Sequence, residues 1–430
     1  MPKAAQTQAI EPRGPLDATV DVPGSKSLTN RVLLIAALAR GNTEISGLLE
    51  SDDTVVMREA LSRLGIQIEK KDSAWFVQGS GGEFSLPQAP LYTENSGTTA
   101  RFLTAAATLA PGPVELEGNA RMHERPIIHL VEALRGFGAE IDILGRDGCP
   151  PVRVHGGGLP GGQNKIDGRQ SSQYTSAILL TAPYAQADLE LSFDEGVLVS
   201  RPYVDMTLKT MRDFGAEVDW IIRDEQECIR VKANHPYVGR PYTIEPDASS
   251  AAYPFCAAAI AGGSVRVSGI PADSQQADLG ILELLERMGC RVRRHGDQIE
   301  VTGPDKPLRS LGEVDMNALP DAVLAYAVVA LFADGPTLIK NIWNLRIKET
   351  DRLAALETEL RKLGARAEAK HDALLIRPGP LHGAMIDTYD DHRMAMSFAL
   401  AGLRIPGVVI RDPGCVSKTW PGYFDQFEDL

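Results

Sequence analysis

Nine cations, Lys26, Arg31, Arg101, Arg125, Arg201, Lys348, Arg352, Arg393 and Lys418, fall in short polar segments that also hold the acids Asp321, Glu349 and Asp351. Cations in excess with acids among them suit the binding of phosphate or carboxylate, with groups at hand for proton transfer. Any one of these cations alone would be read as a solvated surface charge. Their return in matching places along the chain is what points to a site. Several of the segments open Ala-rich stretches, as in GSKSLTNR, ENSGTTAR, GRQSSQYT, PDASSAAY, LPDAVLAY and YDDHRMAM. A helix start offers unpaired N–H groups and partial positive charge, so several starts facing one space would bind an anion without a nucleotide loop.

The elements that must position these residues repeat. A charged helix end, an apolar residue and a glycine recur as LSRLG, LRGFG, MRDFG, LERMG and LRKLG, with Gly65, Gly138, Gly215, Gly289 and Gly364 at intervals of 73, 77, 74 and 75 residues. Each glycine marks a helix stop followed by strand-like alternation, as at 139–144 and 291–301. Six β-rich runs that break at polar loops, from ISGLLESDD to IRDPGCVSKTW, lie between the Ala-rich stretches and these helices. Each repeat therefore reads helix, strand, loop, helix, strand, strand over roughly 75 residues, and the Ala-rich helices, apolar on nearly every face, must be buried. The last copy ends at 427–430 before its strands, while residues 7–22 are strand-like and precede the first Ala-rich helix. The two chain ends are expected to complete one unit. That makes residues 1–23 plus 246–430 a discontinuous terminal domain of three repeats. Residues 24–245 become an inserted domain of three more, and the polar helix starts face the cleft between the two. Pro23-Gly24 and the stretch 240–247 are the expected crossings.

Composition bounds the function. At 430 residues, 43% hydrophobic and 23% charged, the chain is globular and long enough for two cores. A formal net charge of −13 argues against nucleic acid or an anionic membrane as partner, though a local cluster of cations can still hold small anions. Cys149, Cys228, Cys256, Cys290 and Cys415 are odd in number and scattered, which suits a reducing compartment. The first fifteen residues are polar, and the apolar stretches near Ala251 and Ala322 are too short to span a bilayer. A cytoplasmic protein is expected. The histidines lack metal-ligand spacing, so no metal site is expected. HGGG at 155–158 has no GxSxG partner and is read as a loop.

Through GSKSLTNR, NSGTTAR, RMHERPI, SSQY, VSRPY, PDA, NLRIKETDRL, DHRMAM and VSKTWP, taken in order from about Leu16 to Phe427, the chain resembles the 5-enolpyruvylshikimate-3-phosphate synthases, a family of enolpyruvyl transferases. The resemblance implies an α/β fold of two similar domains. Each is built from three βαβαββ-type repeats around buried Ala-rich helices, an inside-out arrangement. It also implies transfer of the enolpyruvyl group of phosphoenolpyruvate to the 5-hydroxyl of shikimate 3-phosphate, with loss of phosphate from a tetrahedral intermediate, by a cofactor-free monomer of aromatic amino acid biosynthesis. Matched residue by residue, Lys26, Ser27, Arg31, Ser171, Ser172, Gln173, Ser200, Asp321, Asn344 and Lys348 would hold shikimate 3-phosphate, with Arg31 supplying a bidentate fork. Lys26, Gly97, Arg125, Gln173, Arg352, Arg393 and Lys418 would hold phosphoenolpyruvate. A Cβ at Gly97 would intrude where that ligand lies against the backbone. Asp321 would take the hydroxyl proton, Glu349 would move the C3 proton, Lys26 would balance developing charge, and His392 would assist by hydrogen bonding.

The chain departs from the family pattern around Gly97, reading Ser96-Gly97-Thr98-Thr99-Ala100-Arg101-Phe102; the glycine is kept, so the phosphonate glyphosate is expected to compete with phosphoenolpyruvate. The sister enzymes that act on a UDP-amino sugar share the architecture but have an Asn-containing loop in place of Lys26-Ser27 and use a loop cysteine, whose place after Leu116 holds none here. A non-catalytic anion-binding scaffold is the alternative from another class.

Overall fold

The computed structural model describes residues 6–430. Its repeating element is clearest at the five recurrent glycines, which take φ of +93°, +93°, +90°, +108° and +94° at Gly65, Gly138, Gly215, Gly289 and Gly364. Only a residue without Cβ occupies that region at little cost. In each case the glycine N–H returns to the carbonyl three residues back, as Gly65 to Ser62 at 3.0 Å. The next N–H reaches five residues back, as Ile66 to Leu61 at 3.1 Å, closing the helix with a Schellman turn. An antiparallel hairpin follows every one of them, such as Gln67–Lys71 with Ala74–Gln78 and Arg366–Ala369 with Leu374–Arg377.

Contacts divide the chain into two compact units, Gly24–Ile244 and Glu245–Leu430, the latter joined by the N-terminal segment up to Pro23. In the first, the helices are α1 (Lys26–Leu38), α2 (Asp52–Arg63), α3 (Gly97–Ala106), α4 (Ile128–Gly136), α5 (Ser172–Thr181) and α6 (Arg201–Asp213). In the second they are α7 (Ala248–Ala261), α8 (Ile281–Arg287), α9 (Val323–Val329), α10 (Arg352–Lys362), α11 (His392–Gly402) and α12 (Tyr423–Glu428). The odd-numbered helices are the Ala-rich ones. Every residue of α3, α9 and α11 is buried, and α7 is buried from Ala248 to Ile260. Small side chains let three such helices meet at the centre of each unit, while the sheets and the amphipathic even-numbered helices wrap them. The Ala-rich helices lie inside, and the strands and remaining helices outside.

Among the described residues, five of the six sheets have four strands and the sixth has three. Within a repeat, the strand before the core helix pairs in parallel with the strand after it, as Leu91–Tyr92 with Val114–Glu117 around α3, and the hairpin extends that second strand antiparallel. The two chain crossings alter this pattern. Leu16–Val20 precedes α1 but pairs with Gly263–Val267, the strand after α7. Tyr242–Thr243 precedes α7 but pairs with Asn42–Ser46, the strand after α1. The first strands of the two units are exchanged. Residues 7–22 are thus not one piece that finishes the last repeat: only Thr7–Ile10 goes there, antiparallel to Val408–Arg411 and in one sheet with Met385–Ile386. Hydrophobic alternation revealed the strands but not their partners, because it marks which face of a strand is buried and not which edge the strand joins.

Candidate active site

In the Gly24–Ile244 unit the three core helices begin behind Ser25, Ser96 and Ser171. Ser171 Oγ accepts the Gln173 N–H at 3.2 Å, and Ser96 Oγ accepts the Thr99 N–H at 3.4 Å, each meeting one of a helix's unpaired donors. Ser25 is buried and its hydroxyl has no protein partner. Lys26, on the first turn of α1, sits 3.4 Å from Asp53 Oδ2 at the start of α2. Gln173 Nε2 donates to Thr98 Oγ1 at 3.2 Å, tying the start of α5 to that of α3. Ser172, the first residue of α5, is buried, Ser200 is buried as the left-handed cap of α6 at φ +53°, and Ser27 is half-buried on α1.

Gly97 opens α3 against two guanidinium groups. A Cβ built there would lie 2.3 Å from Arg101 Nη1 and 2.6 Å from Arg125 Nη2. The space expected to belong to a ligand is occupied first by the tips of these two side chains, which a Cβ at this position would push aside. Arg125 Nη1 donates at 2.9 Å to both the backbone carbonyl and Oδ1 of Asn95. Arg101 Nη2 donates to the Pro126 carbonyl at 3.1 Å, and its Nε and Nη1 are buried without a protein partner.

The fork expected of Arg31 is not presented. Its Nε donates to Thr207 Oγ1 at 2.7 Å, Nη1 to the Ser27 carbonyl at 2.9 Å, and Nη2 to Ser176 Oγ at 3.3 Å and the Tyr203 carbonyl at 3.2 Å. The guanidinium braces α1 against α5 and α6, and burial pulls its pKa down to about 10. Arg201, another of the recurrent cations, stands over the Trp220 ring at 4.1 Å and pairs with Glu227 at 2.7 Å on an exposed face.

The Glu245–Leu430 unit is built around Arg352, which opens α10 with its side chain 1% exposed. Its Nε and Nη2 grip Asp391 at 2.7 and 3.2 Å, Nη2 also reaches Glu349 at 2.9 Å, and Nη1 reaches Asp321 at 3.2 Å. Burial pulls this guanidinium down, but Asp391, Glu349 and Asp321 together outweigh burial and hold it above the ordinary arginine range. Asp321 receives a second cation, Arg393 Nη2, at 2.9 Å. Arg393 Nη1 also approaches the Tyr253 hydroxyl of α7 at 3.4 Å. Burial pushes that hydroxyl up to about 12, with Arg393 pulling the other way. Asp391 caps α11 by accepting the Arg393 N–H at 2.9 Å. The expected Asp321, Glu349, Arg352 and Arg393 are therefore one bonded cluster.

Asn344 lies in the 3₁₀ turn Trp343–Ile347, is 3% exposed, and neither its Nδ2 nor its Oδ1 has a protein partner. A buried amide left in that state is costly unless something else completes it. Lys348 follows this turn and Lys418 ends the 3₁₀ stretch Pro413–Lys418, both half-buried. His392 is fully buried, its Nδ1 3.7 Å from Asp391 Oδ1. Asp391, Tyr253, Asp53 and Asn95 were not singled out from the sequence, although Asp391 stands in the same place before α11 as Asp247 before α7. Among the described residues no group of three or more His, Cys, Asp or Glu side chains is arranged to hold a metal ion, and no helix is long and apolar enough to cross a membrane.

Comparison with known proteins places the whole chain in one family. A 3-phosphoshikimate 1-carboxyvinyltransferase of Nostoc punctiforme is 46% identical over 415 residues, covering 96% of each chain. One from Photorhabdus laumondii is 46% identical over 436 residues, covering 99% of each. The EPSP synthase structure from Acinetobacter baumannii superposes with a TM-score of 0.80 at 27% identity, over 99% of this chain and 98% of that one. The family match runs from residue 10 to residue 427, and the chain belongs to the EPSP synthase (3-phosphoshikimate 1-carboxyvinyltransferase) family.

Proposed function

We propose that this chain divides the family's reaction between two constellations, the serine-capped helix starts of the Gly24–Ile244 unit and the arginine and carboxylate cluster of the other. The reaction is enolpyruvyl transfer from phosphoenolpyruvate to the 5-hydroxyl of shikimate 3-phosphate. Lys26, Ser27, Ser171, Ser172, Gln173 and Ser200, with Asn344 and Lys348, hold shikimate 3-phosphate; Arg31 joins them only if it gives up bonds to Thr207 or Ser176. Gly97, Arg125, Lys26, Gln173, Arg352, Arg393 and Lys418 hold phosphoenolpyruvate, whose phosphate and carboxylate together call for several cations.

The observation that carries the chemistry is the sharing of Asp321 between Arg352 and Arg393. When an anionic substrate engages those guanidinium groups, it competes with Asp321 for their N–H donors. The carboxylate is then left to accept the 5-hydroxyl proton as the oxygen attacks C2 of phosphoenolpyruvate. Glu349, bonded to the same Arg352, enters the addition protonated, delivers that proton to C3 and recovers one from C3 as phosphate departs with the proton Asp321 had taken, and Lys26 offsets the growing negative charge. Both proton carriers are thus tethered to one buried cation that also meets the substrate. The buried, unpartnered amide of Asn344 is a ready donor and acceptor for a hydroxylated ring.

Five free cysteines and the absence of any long apolar helix among the described residues support a cytoplasmic location, and we read the working form as a monomer, which light scattering at assay concentration tests. The activity itself is tested by phosphate release from phosphoenolpyruvate with shikimate 3-phosphate, beside UDP-N-acetylglucosamine and an Asp321→Ala variant. Release with the shikimate ester alone, lost in the variant, is the expected result. Release with the UDP-sugar alone would move the chain to the sister activity, and intact ligand binding without turnover would make it a scaffold. Competition by glyphosate against phosphoenolpyruvate is expected as well; an inhibition constant in the high millimolar range, on the order of weak single-contact affinity, would refute it.

A further inference from the structure

We infer that Tyr389 is a positioning residue for this reaction: through Glu359 it latches a strained turn that delivers Asp391 to Arg352. The inference rests on the reading of Arg352 as a substrate ligand. Tyr389 and Asp390 both take φ of +55°, and together they lead directly into Asp391. Residues with a Cβ avoid this region, and two in succession persist only where their surroundings hold them.

The holding group is Glu359, whose side chain is 0% exposed. Its Oε1 accepts the Tyr389 hydroxyl at 2.6 Å and its Oε2 accepts the Asp387 N–H at 3.1 Å. Lys362 balances it at 2.8 Å and also meets Asp387 at 2.6 Å. Glu359 lies seven residues after Arg352 on α10, two helical turns along the same face. One helix therefore grips the segment 387–391 at both ends, by Glu359 at the start and by Arg352 at Asp391. Between them the turn closes on itself through the Asp391 N–H and the Thr388 carbonyl, at 2.9 Å.

Asp391 has to be aimed closely, because the same carboxylate receives two Arg352 donors and caps α11 at the Arg393 N–H. The direction in which the backbone enters Asp391 is set by the two left-handed residues before it. Removing the Tyr389 hydroxyl leaves Glu359 bonded to Lys362 and to the Asp387 N–H, so no buried charge loses all its partners. What is lost is the side-chain restraint on Tyr389, one of the bonds that hold the turn in its left-handed form.

The test compares kcat and KM for phosphoenolpyruvate in the full chain. Tyr389→Phe is expected to lower kcat/KM for phosphoenolpyruvate by about tenfold with little change in the urea midpoint. In an Asp390→Gly background, where the left-handed turn carries no penalty, the same substitution is expected to cost less than about threefold. Wild-type kinetics in Tyr389→Phe, an equal loss in both backgrounds, or loss of the folded state would each overturn the latch. An Arg352→Lys control separates the two readings. If that control stays fully active the site reading fails, whereas a silent Tyr389→Phe beside a disabled Arg352→Lys removes the latch alone.

Discussion

Arg31 and Arg352 are both buried arginines on core or core-facing helices, yet their surroundings are opposite. Arg31 is bonded only to hydroxyls and carbonyls, and burial draws it down to about 10; Arg352 is ringed by Asp321, Glu349 and Asp391 and is held above the ordinary range although burial opposes this. The contrast follows the helix caps. In the Gly24–Ile244 unit the residues before the Ala-rich helices are Ser25, Ser96 and Ser171; in the other unit Asp247 and Asp391 hold the matching positions before α7 and α11, and Asp321 stands one residue ahead of Ala322, which precedes α9. A serine cap leaves the positive end of a helix available to an outside anion, whereas an aspartate cap neutralises it and supplies a carboxylate for proton transfer. The same repeat, differing at one position, gives one unit suited to anion binding and another suited to acid–base chemistry.

The sharpest way to break this comparison is to remove the two arginines separately. Arg352→Ala leaves Asp391 and Glu349 as buried carboxylates without their main cation, so we expect a loss of about 3–5 kcal/mol in urea unfolding and no measurable phosphate release. Asp391→Ser converts one carboxylate cap into the other unit's type. The α11 cap should survive, but kcat/KM is expected to drop by about 100-fold, and unchanged kinetics would mean that cap chemistry does not distinguish the units. Gly97→Ala forces a methyl against Arg101 and Arg125, both within 2.6 Å of its Cβ. The KM for phosphoenolpyruvate is expected to rise by roughly tenfold or more while that for shikimate 3-phosphate holds. Arg31→Met should be the mildest, costing about 1–2 kcal/mol of stability, because it strands hydroxyls and carbonyls rather than charges. A loss as large as that of Arg352→Ala would show that the two arginines do equivalent work.

The repeat was legible in sequence because a left-handed glycine leaves a fixed mark, and all five such positions close their helices in the same way. The chemistry-bearing residues were legible as positions at helix starts. Their bonds were not, since those depend on which neighbours arrive from distant segments. The donors of Arg31 are taken by Ser176, Tyr203 and Thr207, some 145 to 176 residues away. Gly97 could be recognised as necessary, but nothing local shows that Arg101 and Arg125 lie beside it. Asp391 was hidden for another reason: an aspartate before a helix is so ordinary a cap that its second task, gripping Arg352, leaves no separate sign. The exchanged strands were invisible because alternation along one strand says nothing about which edge it joins.

That exchange imposes a timetable on synthesis. Leu16–Val20 leaves the ribosome early, but its partner Gly263–Val267 comes more than two hundred residues later, and Thr7–Ile10 waits for Val408–Arg411 at the far end. At about 5–20 residues per second, the first strand stays unpaired for on the order of ten seconds or longer. In that interval every strand of the Gly24–Ile244 unit is made, including Tyr242–Thr243, so this unit can finish its sheets while the other has only two waiting strands. Gln8, Asp17 and Thr19 put polar or charged side chains on those early strands, and side chains of that kind discourage an unpaired strand from joining another chain.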